Sequence, residues 1–364
     1  MKLLFHVQHL LGIGHLKRAA TLAVALAREG FEVTLASGGL PVPGVVPPPV
    51  RLMQLPAAAA EDASFKSLVD ARGRRVSDAW KEKRKSALLG LYDSLSPDIL
   101  VIELFPFGRR QFAFELLPLL ERAKGRSRIV CSVRDIVQDK PGRHAEMLER
   151  VARYFDHVLV HGDPRLSEFP LAPRLADKLH YTGFVVQEMK ASNSSAGQGE
   201  VLVSAGGGAV GDALLRAAIA ARPQSVLADR TWRIITGVNG PDLNRFQGKN
   251  LIIEASRNDF TTLLRNCELS ISQAGYNTVM ETLQARACAV LVPFSGAGES
   301  EQAQRARLLA QRGLVETLEE SALSPAALAA AAGRALARGR PAPEAVDLGG
   351  AARSAALLRD WAHG

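Results

Sequence analysis

Short apolar runs, each followed by a glycine-bearing turn and then by a segment of helical period, recur along the whole chain. Residues 3–7 read as a buried strand, 8–14 as a loop, and 15–29 as a helix whose Leu16, Ala19, Leu22, Ala23 and Leu26 form one apolar face. Gly30 ends that helix and residues 31–36 form the next strand, which makes a βαβ unit. The same pattern predicts strands at 98–104, 128–133, 157–160, 200–204, 232–236, 250–254 and 269–272, and a further apolar run at 287–294. Helices are expected at 64–95, from the Gly275 turn to about Arg286, from near Glu299, at 325–337 and at 351–362. The result is an α/β chain with parallel sheets. Residues 186–199 (VQEMKASNSSAGQG) are polar and poor in large apolar groups, so they read as a linker. That places one domain at 1–185, a second at 200–350 and a closing helix at 351–364.

Length and composition narrow this only slightly. A chain of 364 residues with 47% apolar and 23% charged residues suits two or three ordinary globular domains. Cys131, Cys267 and Cys288 are far apart and lack neighbouring histidines, so neither a disulfide framework nor a zinc site is expected, and a reducing cytoplasm is the default. The first residues imitate a signal peptide, but His6, Gln8 and His9 interrupt the apolar run. No stretch approaches 18 apolar residues, the length a membrane span needs. Net charge is +8 and unevenly placed: residues 1–185 hold 27 Lys and Arg against 20 Asp and Glu. A basic first half fits either a solvated surface or attraction to an anionic acceptor or acidic lipid headgroups, with Lys81, Lys83, Arg84 and Lys85 forming a rim. Basic residues are not interleaved with aromatic ones, which argues against nucleic acid.

The candidate chemistry sits at the turns. Residues 269–307 run strand, turn, helix, strand, turn, helix, and in open α/β sheets ligands bind at that edge. Gly275 lets a ligand approach the backbone. Asn277 and Thr278 fall in the first helical turn, where free N–H groups favour an anion such as a diphosphate. Glu281 lies on the same face one turn later, suited to accept two ribose hydroxyls. Glu301 and Gln302 open the next helix with groups that suit sugar hydroxyls. Ordinary helix capping would employ the same residue types. The turn Gly206-Gly207-Gly208 after residues 200–204 offers a second set of N–H groups to a diphosphate. In the first domain, Gly12-Ile13-Gly14-His15 places glycines at a strand-to-helix turn. His15 has the residue type to take a proton from a hydroxyl, or else to hydrogen-bond the backbone or a phosphate. Glu103 ends a strand at the same edge, where it would orient His15, bind an acceptor or cap a loop. His6 and His9 read as packing or loop residues. Arg134, Asp135, His161 and Asp163 line the edge without an assigned role.

The run Ser272-Gln273-Ala274-Gly275-Tyr276-Asn277-Thr278-Val279-Met280-Glu281, followed by Glu301-Gln302, resembles the donor signature of MurG-like family 28 glycosyltransferases. The opening GIGHLKR is similar to their G-x-G-H-x-x-R turn. The resemblance implies a GT-B fold: two Rossmann-like domains facing across a cleft, with the last helix crossing back to the first. It implies transfer of a sugar from a nucleoside-diphosphate donor, UDP-linked by preference, to a hydroxyl acceptor with inversion. His15 would be the base, assisted by Glu103. Gly14, Gly207, Gly208, Gly275, Asn277 and Thr278 would hold the diphosphate, Glu281 the ribose, and Glu301 and Gln302 the donor sugar. The nucleotide base would rest on the loop 255–258, including Ser256. The acceptor, anionic or lipid-linked, would be met on the cytoplasmic side, with peripheral contact at the inner membrane face. No Asp-x-Asp pair ends a strand, so no metal and no cofactor are expected. A hydrolase or epimerase of nucleotide sugars, or a non-catalytic nucleotide-sugar or glycolipid binder, would use the same fold.

Overall fold

The computed structural model describes residues 1–10, 12–62, 67–136, 141–189, 192–206, 210–237, 240–243, 245–246, 248–295, 301–343 and 345–363. The chain divides into two compact units, Met1–Val186 with Asp347–Gly364, and Gln187–Val346.

The first unit is built on β1 (Lys2–Val7), α1 (Gly14–Arg28), β2 (Glu32–Ser37), β3 (Arg51–Gln54), a small antiparallel pair β4 (Ala58–Ala60) and β5 (Leu68–Asp70), then α2 (Asp78–Leu95) and β6 (Ile99–Glu103). It continues with α3 (Ala113–Ala123), β7 (Arg128–Arg134), α4 (His144–Tyr154), β8 (His157–His161) and β9 (Leu179–Tyr181). Seven strands form one sheet in the order β3-β2-β1-β6-β7-β8-β9, every neighbouring pair parallel. Both faces are covered, which is why the central strands read as unbroken apolar runs. Leu3, Phe5 and Val7 pack with Leu16, Leu22 and Leu26 of α1, while Leu4 joins the opposite core with Leu88 of α2 and Leu116 of α3. The C-terminal helix (Gly350–His363) returns to this unit: Ala355 and Leu358 enter the α1-side core, and Arg359 pairs with Glu29 at 2.5 Å. The expected crossing back is therefore present.

Two features of the first unit differ from the sequence reading. The helix predicted over 64–95 begins at Asp78. Ahead of it, Gly73 takes a left-handed φ of 74°, and the Asp70 carboxylate accepts the N–H groups of Arg72 and Arg74 at 2.8 and 3.0 Å, so the chain turns and β5 pairs with β4. Ser77 then caps the helix by accepting the Trp80 N–H. Residues 63–66 lie outside the described set. The basic run on α2 is also not a simple solvated rim: Lys81 pairs with Asp78, Lys85 with Glu82, and Arg84 is fully buried against Glu115.

The second unit contains β10 (Val201–Ser204), α5 (Asp212–Ala221), β11 (Trp232–Ile235), β12 (Leu251–Glu254), α6 (Phe260–Asn266), β13 (Leu269–Ser272), α7 (Tyr276–Ala285), β14 (Ala289–Leu291), α8 (Glu301–Gln311), β15 (Glu316–Thr317) and α9 (Pro325–Arg338). Its six parallel strands are ordered β12-β11-β10-β13-β14-β15. In both units the order reverses beside the first strand, between β1 and β6 and between β10 and β13. In open α/β sheets the loops leaving the strands at such a reversal are where ligands bind.

Candidate functional site

The first unit's switch point brings together groups far apart in sequence. His15 opens α1 just after the loop that leaves β1, and Glu103 is the last residue of β6. The His15 Nδ1 lies 2.9 and 3.0 Å from the two Glu103 oxygens. Arg18, one turn further along α1, donates to the same carboxylate. Glu103 is buried, and burial alone would raise its pKa. The adjoining His15, Arg18 and Arg109 outweigh burial and hold the carboxyl well below the usual carboxylate range. An ionised carboxylate only accepts hydrogen bonds, so Nδ1 carries the ring proton and Nε2 keeps its lone pair. Burial also drives the His15 pKa down to about 3, with Arg109 and Arg134 lowering it further and Glu103 opposing them. At neutral pH the site thus holds a neutral imidazole with one accepting nitrogen, backed by a carboxylate that would stabilise it on protonation.

The residues around this pair shape the edge. Arg109 has a left-handed backbone (φ 57°), and its Nε donates to the Gln8 carbonyl at 2.8 Å. Register places Glu103 beside Ser132, and Arg134 beside His161. His161 is fully buried between Ser132 Oγ (2.8 Å) and Thr182 Oγ1 (2.9 Å), and burial lowers its pKa to about 3. Since Thr182 donates to the Gly183 carbonyl, His161 Nδ1–H donates to Thr182, and Ser132 donates to His161 Nε2. Asp163 holds Arg165 and accepts the Asp347 N–H at 3.3 Å, so it ties the returning chain down. His6 lies 3.7 Å from Glu115, and His9 donates to the Leu40 carbonyl at 3.1 Å, so both are packing residues. Gly14 is the first residue of α1.

In the second unit, Gly275 is the N-cap of α7, with Asn277 and Thr278 half-buried in the first turn and Glu281 half-buried on the next. The Gly275 backbone (φ −62°) is open to any residue, and a Cβ there would meet no atom within 4 Å; its value is the room it leaves. Gln273 donates to the Val210 carbonyl at 3.0 Å, joining this turn to the one after β10. Gly207 and Gly208 lie outside the described residues. Gln302 uses its Oε1 to accept the Phe294 N–H at 3.2 Å, which fixes the loop after β14, while Glu301 opens α8. Ser256 is exposed just beyond β12. Among the described residues no group of three or more His, Cys, Asp or Glu could hold a metal ion, and no helix is long and apolar enough to cross a membrane.

Arg305 was not singled out by sequence reasoning, yet its buried guanidinium donates to the Ala274 carbonyl at 3.2 Å and lies over the Tyr276 ring. Its position four residues after Glu301 was the available signal, because that spacing puts it on the same helix face.

Residues 202–347 match the sequence model of the glycosyltransferase family 28 C-terminal domain. A UDP-N-acetylglucosamine--N-acetylmuramyl-(pentapeptide) pyrophosphoryl-undecaprenol N-acetylglucosamine transferase of Synechococcus sp. (strain CC9605) is 34% identical over 122 residues, 32% of this chain and 33% of that protein. The chain therefore matches about a third of the length of this relative. Among solved structures, the calicheamicin glycosyltransferase CalG4 superposes with a TM-score of 0.69 at 16% identity, over 99% of this chain and 98% of the other. Acinetobacter baumannii MurG gives 0.61 at 15% identity, over 99% and 100%. At such identities the likeness speaks for the fold, the GT-B glycosyltransferase fold.

Proposed function

We propose, from the premise that this chain is a MurG-like family 28 glycosyltransferase by its C-terminal domain, that it moves a sugar from a nucleoside diphosphate to an acceptor hydroxyl with inversion and without a metal ion. The observation that carries this reading is the His15–Glu103 pair at the first switch point. His15 Nε2 takes the hydroxyl proton as the acceptor oxygen bonds to the anomeric carbon. The bond from that carbon to the diphosphate oxygen breaks in the same step, and its electron pair leaves with the diphosphate. Glu103 stabilises the imidazolium so formed, and the free N–H groups at the start of α7 favour the departing charge. One displacement inverts the anomeric centre. Glu281 is assigned to the ribose, and Glu301 and Gln302 to the sugar, with Gln302 able to offer its amide N–H groups while its oxygen holds the loop. Ser256 is assigned to the nucleotide-base loop.

The donor is taken as a UDP sugar, in line with the one named for the Synechococcus relative, and the acceptor as an anionic or lipid-linked hydroxyl compound met on the cytoplasmic side. The ion pairs along α2 leave that helix a weak basis for membrane contact. Thermal stabilisation by UDP, GDP, ADP, CMP and dTDP sugars tests the donor half. One nucleotide family is expected to raise the melting temperature of the wild-type protein, and Glu281→Ala to lose most of that rise. No rise with any nucleotide would overturn the donor assignment. Turnover should persist in EDTA; loss of the rate, restored by Mg²⁺ or Mn²⁺, would overturn metal independence.

A further inference from the structure

Arg305 joins α8 to the turn after β13. It lies on α8, one turn after Glu301, and is 4% exposed. Its Nη1 donates to the carbonyl of Ala274, and its guanidinium carbon sits 5.4 Å from the centre of the Tyr276 ring. Ala274 and Tyr276 flank Gly275, the N-cap of α7. From the first turn of the same helix, Gln302 accepts the Phe294 N–H. The start of α8 therefore grips both the turn after β13 and the turn after β14.

The grip on Ala274 has a directional consequence. The Ala274 carbonyl and the Gly275 N–H belong to one planar trans peptide and point in opposite senses. A donor that fixes the carbonyl thereby fixes the direction of that N–H, the first free donor at the α7 N-terminus. Arg305 also carries a permanent positive charge into a poorly solvated place beside the N-terminal end of α7. A buried guanidinium is costly to desolvate, and an apolar residue would pack α8 at less cost if packing were the only demand.

We infer that Arg305 is a positioning residue of the nucleoside-diphosphate site. It sets the Ala274–Gly275 peptide so that the Gly275 N–H meets the donor phosphates, and its charge adds to the attraction for them. The inference rests on the placement of the donor at the α7 turn under the proposed function.

Calorimetric titration separates the two. The probes are the nucleoside diphosphate that stabilises the wild-type protein and the matching nucleoside without phosphates. Arg305→Met is expected to weaken the diphosphate by about tenfold or more, the factor for one lost charge-assisted interaction, and to change nucleoside affinity by less than about twofold on the same scale. Arg305→Gln, which keeps an N–H donor for Ala274 and loses the charge, should fall between wild type and Arg305→Met, and it serves if the methionine variant does not fold. Arg305→Lys should recover part of the loss. Unchanged diphosphate affinity in the methionine and glutamine variants, or equal loss of nucleoside and diphosphate, would overturn the inference while leaving the donor site standing. A wild-type protein that binds no nucleoside diphosphate would remove the donor site itself.

Discussion

His15→Ala is expected to lower kcat by about 10²–10⁴-fold, the range for loss of a positioned general base, while nucleoside-diphosphate affinity stays at the wild-type value. Both halves matter. A histidine that merely touched the donor phosphate would, when removed, raise Kd for the diphosphate; one that takes the acceptor proton leaves Kd alone and slows the chemistry. Glu103→Gln tests the same pair from its other side. The amide oxygen can still accept the Nδ1–H, so the ring keeps its place, but the charge that stabilises the imidazolium is gone. Its kcat loss should be smaller than that of His15→Ala and also without effect on Kd. The pH profile carries the sign. His15 works as a base only when neutral, and burial brings its pKa from the ordinary 6.5 down to about 3. The active form is thus retained as pH falls through 6.5, and the acid limb of kcat/KM belongs well below it. A limb near 6.5 that disappears in a His15 variant would show the imidazole to be solvated and the proposed environment wrong. Donor hydrolysis at a turnover-like rate without acceptor, abolished in His15→Ala, would make water the acceptor.

The parts of the fold that could be read in advance are those whose burial is symmetric. Strands β1, β6, β10 and β13 are covered on both faces, so they appear as short apolar runs, and glycine-bearing turns after β1, β10 and β13 mark the carboxyl edge. Those strands flank the two switch points, which is why the turns at the carboxyl edge are legible in the sequence. The edge strands β3 (RLMQ), β9 (LHY) and β15 (ET) are short and partly polar, and only pairing with a neighbour makes them strands. The false helical start at 64 has a related cause: Leu68 and Val69 fit an apolar helix face, while the turn that prevents it depends on Asp70 and the positive φ of Gly73. Side-chain pairing across long separations was the least visible. In the sequence Glu103 is one of several partners open to His15, and nothing local to Arg305 announces a contact with Ala274.

Arg84 shows how far a local reading can miss, and it sets the largest stability effect expected here. It stands in the run Lys81–Lys85, yet alone in that run it points inward. Its guanidinium bonds both Glu115 oxygens at 2.7 and 2.8 Å, the Gly38 and Pro56 carbonyls at 2.7 and 2.8 Å, and Gln8 Oε1 at 2.6 Å. It also lies 4.9 Å from the centre of the Phe112 ring. The contact at Gly38 is so close that a Cβ there would fall 2.2 Å from Arg84 Nη2 and from Gln8 Oε1. One side chain thus links α2, α3, the loop after β1, the loop after β2 and the turn after β3. Arg84→Met should destabilise the first unit by about 3–5 kcal/mol, because it strands a buried carboxylate rather than merely removing a bond. That corresponds to a fall in melting temperature on the order of 10 °C. The paired change Arg84→Met with Glu115→Leu should recover a large share, since it removes the stranded charge as well. Acid should mimic the single variant. Burial pushes the Glu115 pKa up, but Arg84 and His6 outweigh it and hold the carboxyl below its ordinary 4.5. Its stabilisation is therefore complete above 4.5 and is lost as pH falls through the folded value. Melting curves of wild type, Arg84→Met and the double variant at pH 7 and at a series of pH values falling from 4.5 measure this directly. If the single variant melts with the wild type at pH 7, the buried pair is not what holds these five segments together.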